Sequence, residues 1–286
     1  MSALAGRPRG KLQPVEALAL WDARAILRDR WFLAAAAAFA MLTLAAAALA
    51  LSAAPIAGLS SFDRVAATLI HLTMLFVPLL GLTVGAGWIA AERESGVLTM
   101  LLSQPLERRT LFAGKFLGVA WGVVSATVIG FGSAGAVLAL RVGSDRLPAF
   151  LGLIALSVLL ALASLAVGFL LSASSASRSR ALGAALFAWL FFVVVSDLGV
   201  LGTALILRLP APLVLALGVA NPVSAFRVAA IVLVSGSADL TGAVGMYAAE
   251  RLGSGGLVVL LAGVLAVWTA AAFAAGRAWF VRSVER

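Results

Sequence analysis

The chain alternates long apolar runs with short polar interruptions. Six runs are long enough to cross a bilayer: Leu33–Ala53, Val65–Ala91, Ala113–Leu140, Pro148–Ala173, Ala181–Leu207 and Gly256–Ala275. A helix rises about 1.5 Å per residue, so about 20 apolar residues traverse a hydrocarbon layer of ~30 Å, and the longer runs predict tilt or projection. Two further segments have helical patterns without crossing. In Pro14–Arg30, Val15, Leu18, Leu20, Trp21, Ile26 and Leu27 mix with Glu16, Asp22, Arg24, Arg28 and Asp29. That mixture predicts an amphipathic helix lying in the headgroup plane, the alternative being a solvated leader. In the connection 208–255, Asn221 precedes Pro222, a good N-cap followed by proline at the first helical position. The apolar Val223–Val234 after it is too short to span, so it should dip into one leaflet or rest on it.

Composition turns these runs into a class. Of 286 residues, 63% are hydrophobic and 12% charged, with mean hydropathy +1.11. A soluble domain cannot hide that much apolar surface behind so few charges. Soluble enzyme, disordered regulator and fibrous protein are excluded, leaving an all-α integral membrane protein with six transmembrane helices. The expected organisation is a cytoplasmic leader and interfacial helix over 1–31, then a single six-helix domain over 32–286. Within it lie a cytoplasmic loop at 92–112 and an outer connection at 208–255. No small-residue cleavage site precedes the first run, which reads as a retained helix and not a signal peptide. Zero cysteines exclude disulfides and thiolate chemistry, and one histidine excludes a multi-histidine metal site in one copy.

The net charge of +9 would suggest nucleic acid if the basic residues shared one soluble face. They instead flank apolar runs, so no nucleic-acid partner is expected and their role is orientation. Fifteen of the 21 Lys and Arg fall in the N-terminus, the loops after the second and fourth spans and the C-terminus. The positive-inside rule then places both termini in the cytoplasm, with Trp31, Trp88, Trp189 and Trp279 as an interfacial belt on that side.

The most informative stretch runs from Trp88 to Gly118. A charged cluster, Glu92-Arg93-Glu94, is followed by Ser95-Gly96 and by Val97, Leu98, Leu101 and Leu102 at helical spacing. Gln104-Pro105 stops that helix, and Leu106–Lys115 restarts one. A short amphipathic helix between two turns can dock in a groove of another protein and pass its movement to the attached spans. Glu92-Arg-Glu-Ser-Gly-Val-Leu-Thr-Met-Leu-Leu-Ser-Gln-Pro-Leu-Glu-Arg-Arg, with Gly114-Lys115-Phe116-Leu117-Gly118, resembles the type 2 ABC transporter permeases. The resemblance covers nearly the whole chain. It implies a homodimer in a bacterial inner membrane, with an amphipathic connecting helix, a coupling helix between spans 2 and 3, and a half-inserted outer segment between spans 5 and 6. It also implies a separate cytoplasmic ABC ATPase that touches Glu92, Arg93, Glu94, Gly96, Leu98, Leu101, Leu102, Gln104 and Pro105. A second motif, Asn221-Pro222-Val223-Ser224-Ala225-Phe226-Arg227, is similar to the subgroup in which a permease dimer works with an ATPase and a periplasmic protein. That subgroup serves copper-centre assembly in nitrous oxide reductase, and the likeness makes Asn221, Pro222, Phe226 and Arg227 candidate outer partner contacts.

The chain contains no engine of its own. Both Gly-Lys pairs, Gly10-Lys11 and Gly114-Lys115, lack the rest of a phosphate-binding loop, and no hydrolase, metalloprotease or kinase motif is present. The chain is therefore expected to be a non-catalytic subunit that binds no cofactor itself, ATP and Mg residing on the partner. The competing class is a secondary transporter or channel without an ATPase, which predicts several paired intramembrane charges or inverted repeats. The intramembrane candidates are few. Asp197 in span 5 requires protein or water around it, and His71 in span 2 is a possible mate, since those spans meet near the dimer axis in the resembled family. Met74 follows His71 at helical spacing, a weak Cu(I) candidate set against ordinary methionine packing. Gly114, Gly118 and Gly122, with Gly81 and Gly85, repeat every fourth residue and permit close helix approach, either for sliding or for static packing.

Overall fold

The computed structural model describes residues 14–52, 60–104, 106–142, 146–195, 220–236 and 242–284, and every regular element among them is helical. In chain order these are α1 (Pro14–Ile26), α2 (Arg30–Ser52), α3 (Ser61–Glu94), α4 (Val97–Leu102), α5 (Arg108–Val142), α6 (Leu147–Ser174), α7 (Arg178–Leu190), α8 (Pro222–Ser235) and α9 (Gly242–Val284). A π-helical turn, Phe191–Val195, extends α7. Six helices are long and apolar enough to span: Arg30–Ser52, Ser61–Glu94, Arg108–Leu140, Leu147–Ser174, Arg178–Val195 and Gly253–Ser283. These are the six runs of the sequence, the fifth being described as far as Val195. The α9 backbone breaks at Gly253 (φ 72°, ψ 160°), where its spanning part begins.

Central to the bundle is α6, packed between α3 and α9, and it is buried along most of its length. Small residues set the closeness of α3 to α6. A Cβ on Gly85 would stand 2.7 Å from the Leu165 carbonyl oxygen, and one on Gly168 would stand 2.6 Å from that of Leu82. At one end of the bundle, Phe112 and Phe116 of α5, Phe169 of α6, and Phe273 and Phe280 of α9 form a ring cluster with neighbouring centroids 4.9–5.8 Å apart. This is the end that carries α4. At the opposite end, Ser60 and Asp63 form a capping box at the start of α3.

The helix α1 has a protein neighbour along its whole length. It runs beside α5 in the same direction and in register. A Cβ on Gly114 would meet Leu18 Cβ at 2.8 Å, one on Gly118 would meet the Ala19 carbonyl oxygen at 2.5 Å, and one on Gly122 would meet Ile26 at 2.6 Å. The glycine stripe of α5 is thus the seat of α1. The pattern in α1 was compatible with either destination, because an interface and a protein groove both reward one apolar face. The buried face is Leu18, Asp22 and Ile26, while Leu20, Trp21 and Leu27 are exposed.

Candidate functional site

The site grows out of the last turn of α3. Successive helical residues point about 100° apart, so three consecutive charged side chains can address three different neighbours. Glu92 Oε1 accepts from Lys115 Nζ of α5 at 2.6 Å. Arg93 donates to the Ser175 carbonyl, and to that of Ala173 at 3.3 Å, covering acceptors left open at the end of α6. Glu94 Oε1 accepts the Arg178 backbone N–H at 2.7 Å, at the first residue of α7, where a carboxylate complements the helix dipole. One turn earlier, the Ala90 N–H donates to Ser172 Oγ of α6 at 2.9 Å. The end of α3 is a hub joined to α5, α6 and α7.

The same hub reaches α1. Trp88 Nε1 donates to Asp22 Oδ1 at 2.8 Å, and Lys115 Nζ lies 3.6 Å from Asp22 Oδ2 and 5.7 Å from the centroid of the Trp21 ring. Lys115 and Asp22 are fully withdrawn from solvent, with side chains 0% and 2% exposed. Burial holds the Asp22 carboxyl above the ordinary aspartate range, opposed by the Lys115 charge and the Trp88 hydrogen bond. Trp88 is therefore part of this cluster and not simply a belt residue.

From the hub the chain turns directly into α4. Ser95 closes α3, its N–H donating to the Ala91 carbonyl and the Gly96 N–H to that of Arg93, and Gly96 adopts φ 76°, ψ −4° to start α4. Only glycine takes that conformation without strain. The helix forms where the spacing predicts it, but its apolar face is turned inward. Leu98 is buried and Leu101 and Leu102 pack on the core, so these leucines attach α4 to its own bundle. The surface left for another protein consists of Glu94, Thr99, Met100, Ser103 and Gln104, with Met100 68% exposed. Pro105 lies outside the described residues. Beside the hub opens a cleft of about 550 Å³, lined by Trp31, Phe32, Phe76, Leu79 and Thr83 together with the charged Asp29, Glu92 and Arg178.

The other candidates are placed elsewhere. Asn221 caps α8 as its sequence predicts, Oδ1 accepting from the Val223 N–H at 2.9 Å. Its Nδ2 donates to the Phe192 carbonyl at 2.6 Å in the π-helical turn, and Trp268 Nε1 donates to the Ala220 carbonyl at 3.1 Å. Asn221, Pro222 and Phe226 are all buried. Their faces are occupied by the chain's own helices, and Arg227 alone of the motif is partly accessible. His71 is exposed, with Nδ1 2.8 Å from the Ala67 carbonyl of its own helix, whereas Met74 is buried. The two sit in different environments, and Asp197 lies outside the described residues. No group of three or more potential His, Asp or Glu ligands gathers among the described residues.

Residues 17–283 match the family described as ABC-2 family transporter protein. The chain is an ABC-2 family permease. Two relatives extend the match. The chain is 34% identical over 270 residues to "Probable ABC transporter permease protein NosY" of Pseudomonas aeruginosa, covering 90% of this chain and 94% of that protein. It is 36% identical over 176 residues to the protein of that name from Stutzerimonas stutzeri, covering 60% and 64%. The ABC-2 permease carries its hub on residues that sequence reading only partly selected. Glu92, Arg93 and Glu94 were chosen for charge; Asp22, Trp88 and Lys115 were not. One signal was available: Asp22 stands in the middle of the stripe Leu18–Asp22–Ile26, where an unanswered acid would be costly.

Proposed function

We propose that this permease is the membrane half of an ABC machine in which a separate cytoplasmic ATPase pushes on α4. The observation that carries this is the fan of Glu92, Arg93 and Glu94 onto α5, α6 and α7 immediately before the Gly96 turn. A displacement of α4 enters the bundle at the one place where four helices and α1 are already joined. The partner meets the exposed Glu94, Met100 and Gln104, while Leu98 keeps α4 fixed to the chain that must move.

In this reading the α4 end faces the cytoplasm of a bacterial cell with both termini, two copies form a homodimer, and α8 lies toward the periplasmic side. The charge distribution supports the orientation. The exposed apolar face of α7, with Leu186, Phe187, Leu190 and Phe191, supports a surface for a second copy or lipid. The output is either export or movement relayed to a periplasmic partner. The mainly apolar lining of the cleft beside the hub, charged only at Asp29, Glu92 and Arg178, favours relay, or an amphipathic cargo, over a hydrophilic one. The likeness to proteins named NosY supports a role in copper-centre assembly of nitrous oxide reductase.

Co-purification with a co-expressed ABC ATPase tests this. Met100→Asp and Glu94→Lys should lose most of the bound ATPase and its permease-dependent activity while the permease itself remains folded. Full retention of both with both changes would refute the proposal.

A further inference from the structure

We infer that the wedge between α1, α3 and α5 is a proton-binding site, formed by Asp22 and Glu92 around Lys115. It is independent of the ATPase reading and concerns a ligand, a single proton, that the coupling role does not require.

The donor count sets the problem. Lys115 Nζ gives a short hydrogen bond to Glu92 Oε1 at 2.6 Å, and its 3.6 Å approach to Asp22 Oδ2 is beyond hydrogen-bond length. Trp88 Nε1 satisfies Asp22 Oδ1. That leaves Asp22 Oδ2 and Glu92 Oε2, both buried and both without a hydrogen-bond donor. The groups facing the wedge among the described residues are Asp22 and Trp21 from α1, Trp88 and Glu92 from α3, and Lys115 from α5, while one acid and one base of opposite charge, Asp29 and Arg178, line the adjoining cleft that Glu92 borders. Arg93, the nearest further cation in sequence, is turned to the carbonyls ending α6.

Two ionised acids with one ammonium would leave a net negative charge where the side chains of Lys115, Asp22 and Glu92 are 0%, 2% and 17% exposed. Little water reaches that charge, and two carboxylates on one small cation repel each other. One proton removes the excess charge and supplies a donor that the buried oxygens lack. It belongs to the pair and not to either acid alone. Its loss leaves an uncompensated charge directly beneath α1 and weakens the seat of that helix on α5.

Burial raises Asp22 above its ordinary range, in keeping with this geometry. The sign follows from proton linkage. A carboxyl raised in the native state binds its proton more tightly folded than unfolded, so stability is greatest at low pH and is lost as pH rises through the native value.

The test uses the full chain in lipid nanodiscs, with infrared spectroscopy and thermal unfolding across pH. The wild type should show a protonated-carboxyl stretch near neutral pH that disappears in Asp22→Asn and equally in Glu92→Gln, since either change leaves one acid paired with one base. The wild-type unfolding midpoint should fall on going from mildly acidic to alkaline buffer, and either variant should lose that slope. If one variant does not fold, the other provides both readouts. A band unchanged by the substitutions, or wild type and variant falling in parallel with pH, would overturn the proposal. So would a midpoint restored by sodium, which would assign the missing positive charge to a metal cation.

Discussion

Gly118→Leu is expected to detach α1 from the rest of the permease. A Cβ at this position would lie 2.5 Å from the Ala19 carbonyl oxygen, 2.7 Å from Asp22 Cβ and 3.0 Å from the Ala23 N. Two of those atoms are backbone, so no rotamer change relieves the clash, and a leucine adds three further carbons to it. Overpacking of this kind costs typically 1–3 kcal/mol and occasionally more. Here it also separates Asp22 from Lys115 and Trp88, so the cost should reach the upper end. Amide hydrogen exchange over Pro14–Ile26 should rise by at least tenfold and proteolysis within α1 should appear, with α3 and α6 still protected. Gly183→Ala is the control, because a Cβ there has no neighbour within 4 Å.

Lys115→Met is the second change expected to be severe. It retains a long apolar stem but removes the cation that approaches both Asp22 and Glu92. Breaking a buried ion pair by deleting one partner costs about 3–5 kcal/mol, because the other charge remains buried and uncompensated. The unfolding midpoint in denaturant should fall accordingly at neutral pH. Replacing the acids together with the lysine, as Asp22→Asn, Glu92→Gln and Lys115→Met, should recover most of that loss, since a neutral, well-filled wedge carries no desolvated charge. A single Lys115→Met variant as stable as the wild type would show that the cluster is wet or open.

How far the sequence could be read depends on what each pattern specifies. The six spans were legible because length and apolarity are local properties with one physical solution in a bilayer. The α8 cap was legible for the same reason: Asn221 and Pro222 act on their own helix. What covers an apolar face is not local. The faces of α1 and α4 were evident, but the sequence did not name the neighbours they meet inside the chain, which are α5 for α1 and the chain's own bundle for Leu98. Nor did it signal that Phe226 would be 0% exposed inside the bundle. The repeated glycines of α5 marked a close approach without naming α1 as the approaching helix. The hub residues were half visible, since Glu92-Arg93-Glu94 announces charge at a helix end while Lys115 resembles any basic residue near a membrane boundary. Its burial becomes apparent only when Asp22, distant in sequence, is placed opposite it.

The coupling surface itself can be tested by placing a photo-reactive amino acid at Met100 in the full chain, in membranes containing the ATPase, with a second probe at Gly236 on the exposed cap of α8. Irradiation should yield an adduct with the ATPase from position 100 and none from position 236, with the adduct at 100 changing in yield when nucleotide is added. An ATPase adduct from Gly236 and none from Met100 would contradict delivery of the stroke through α4.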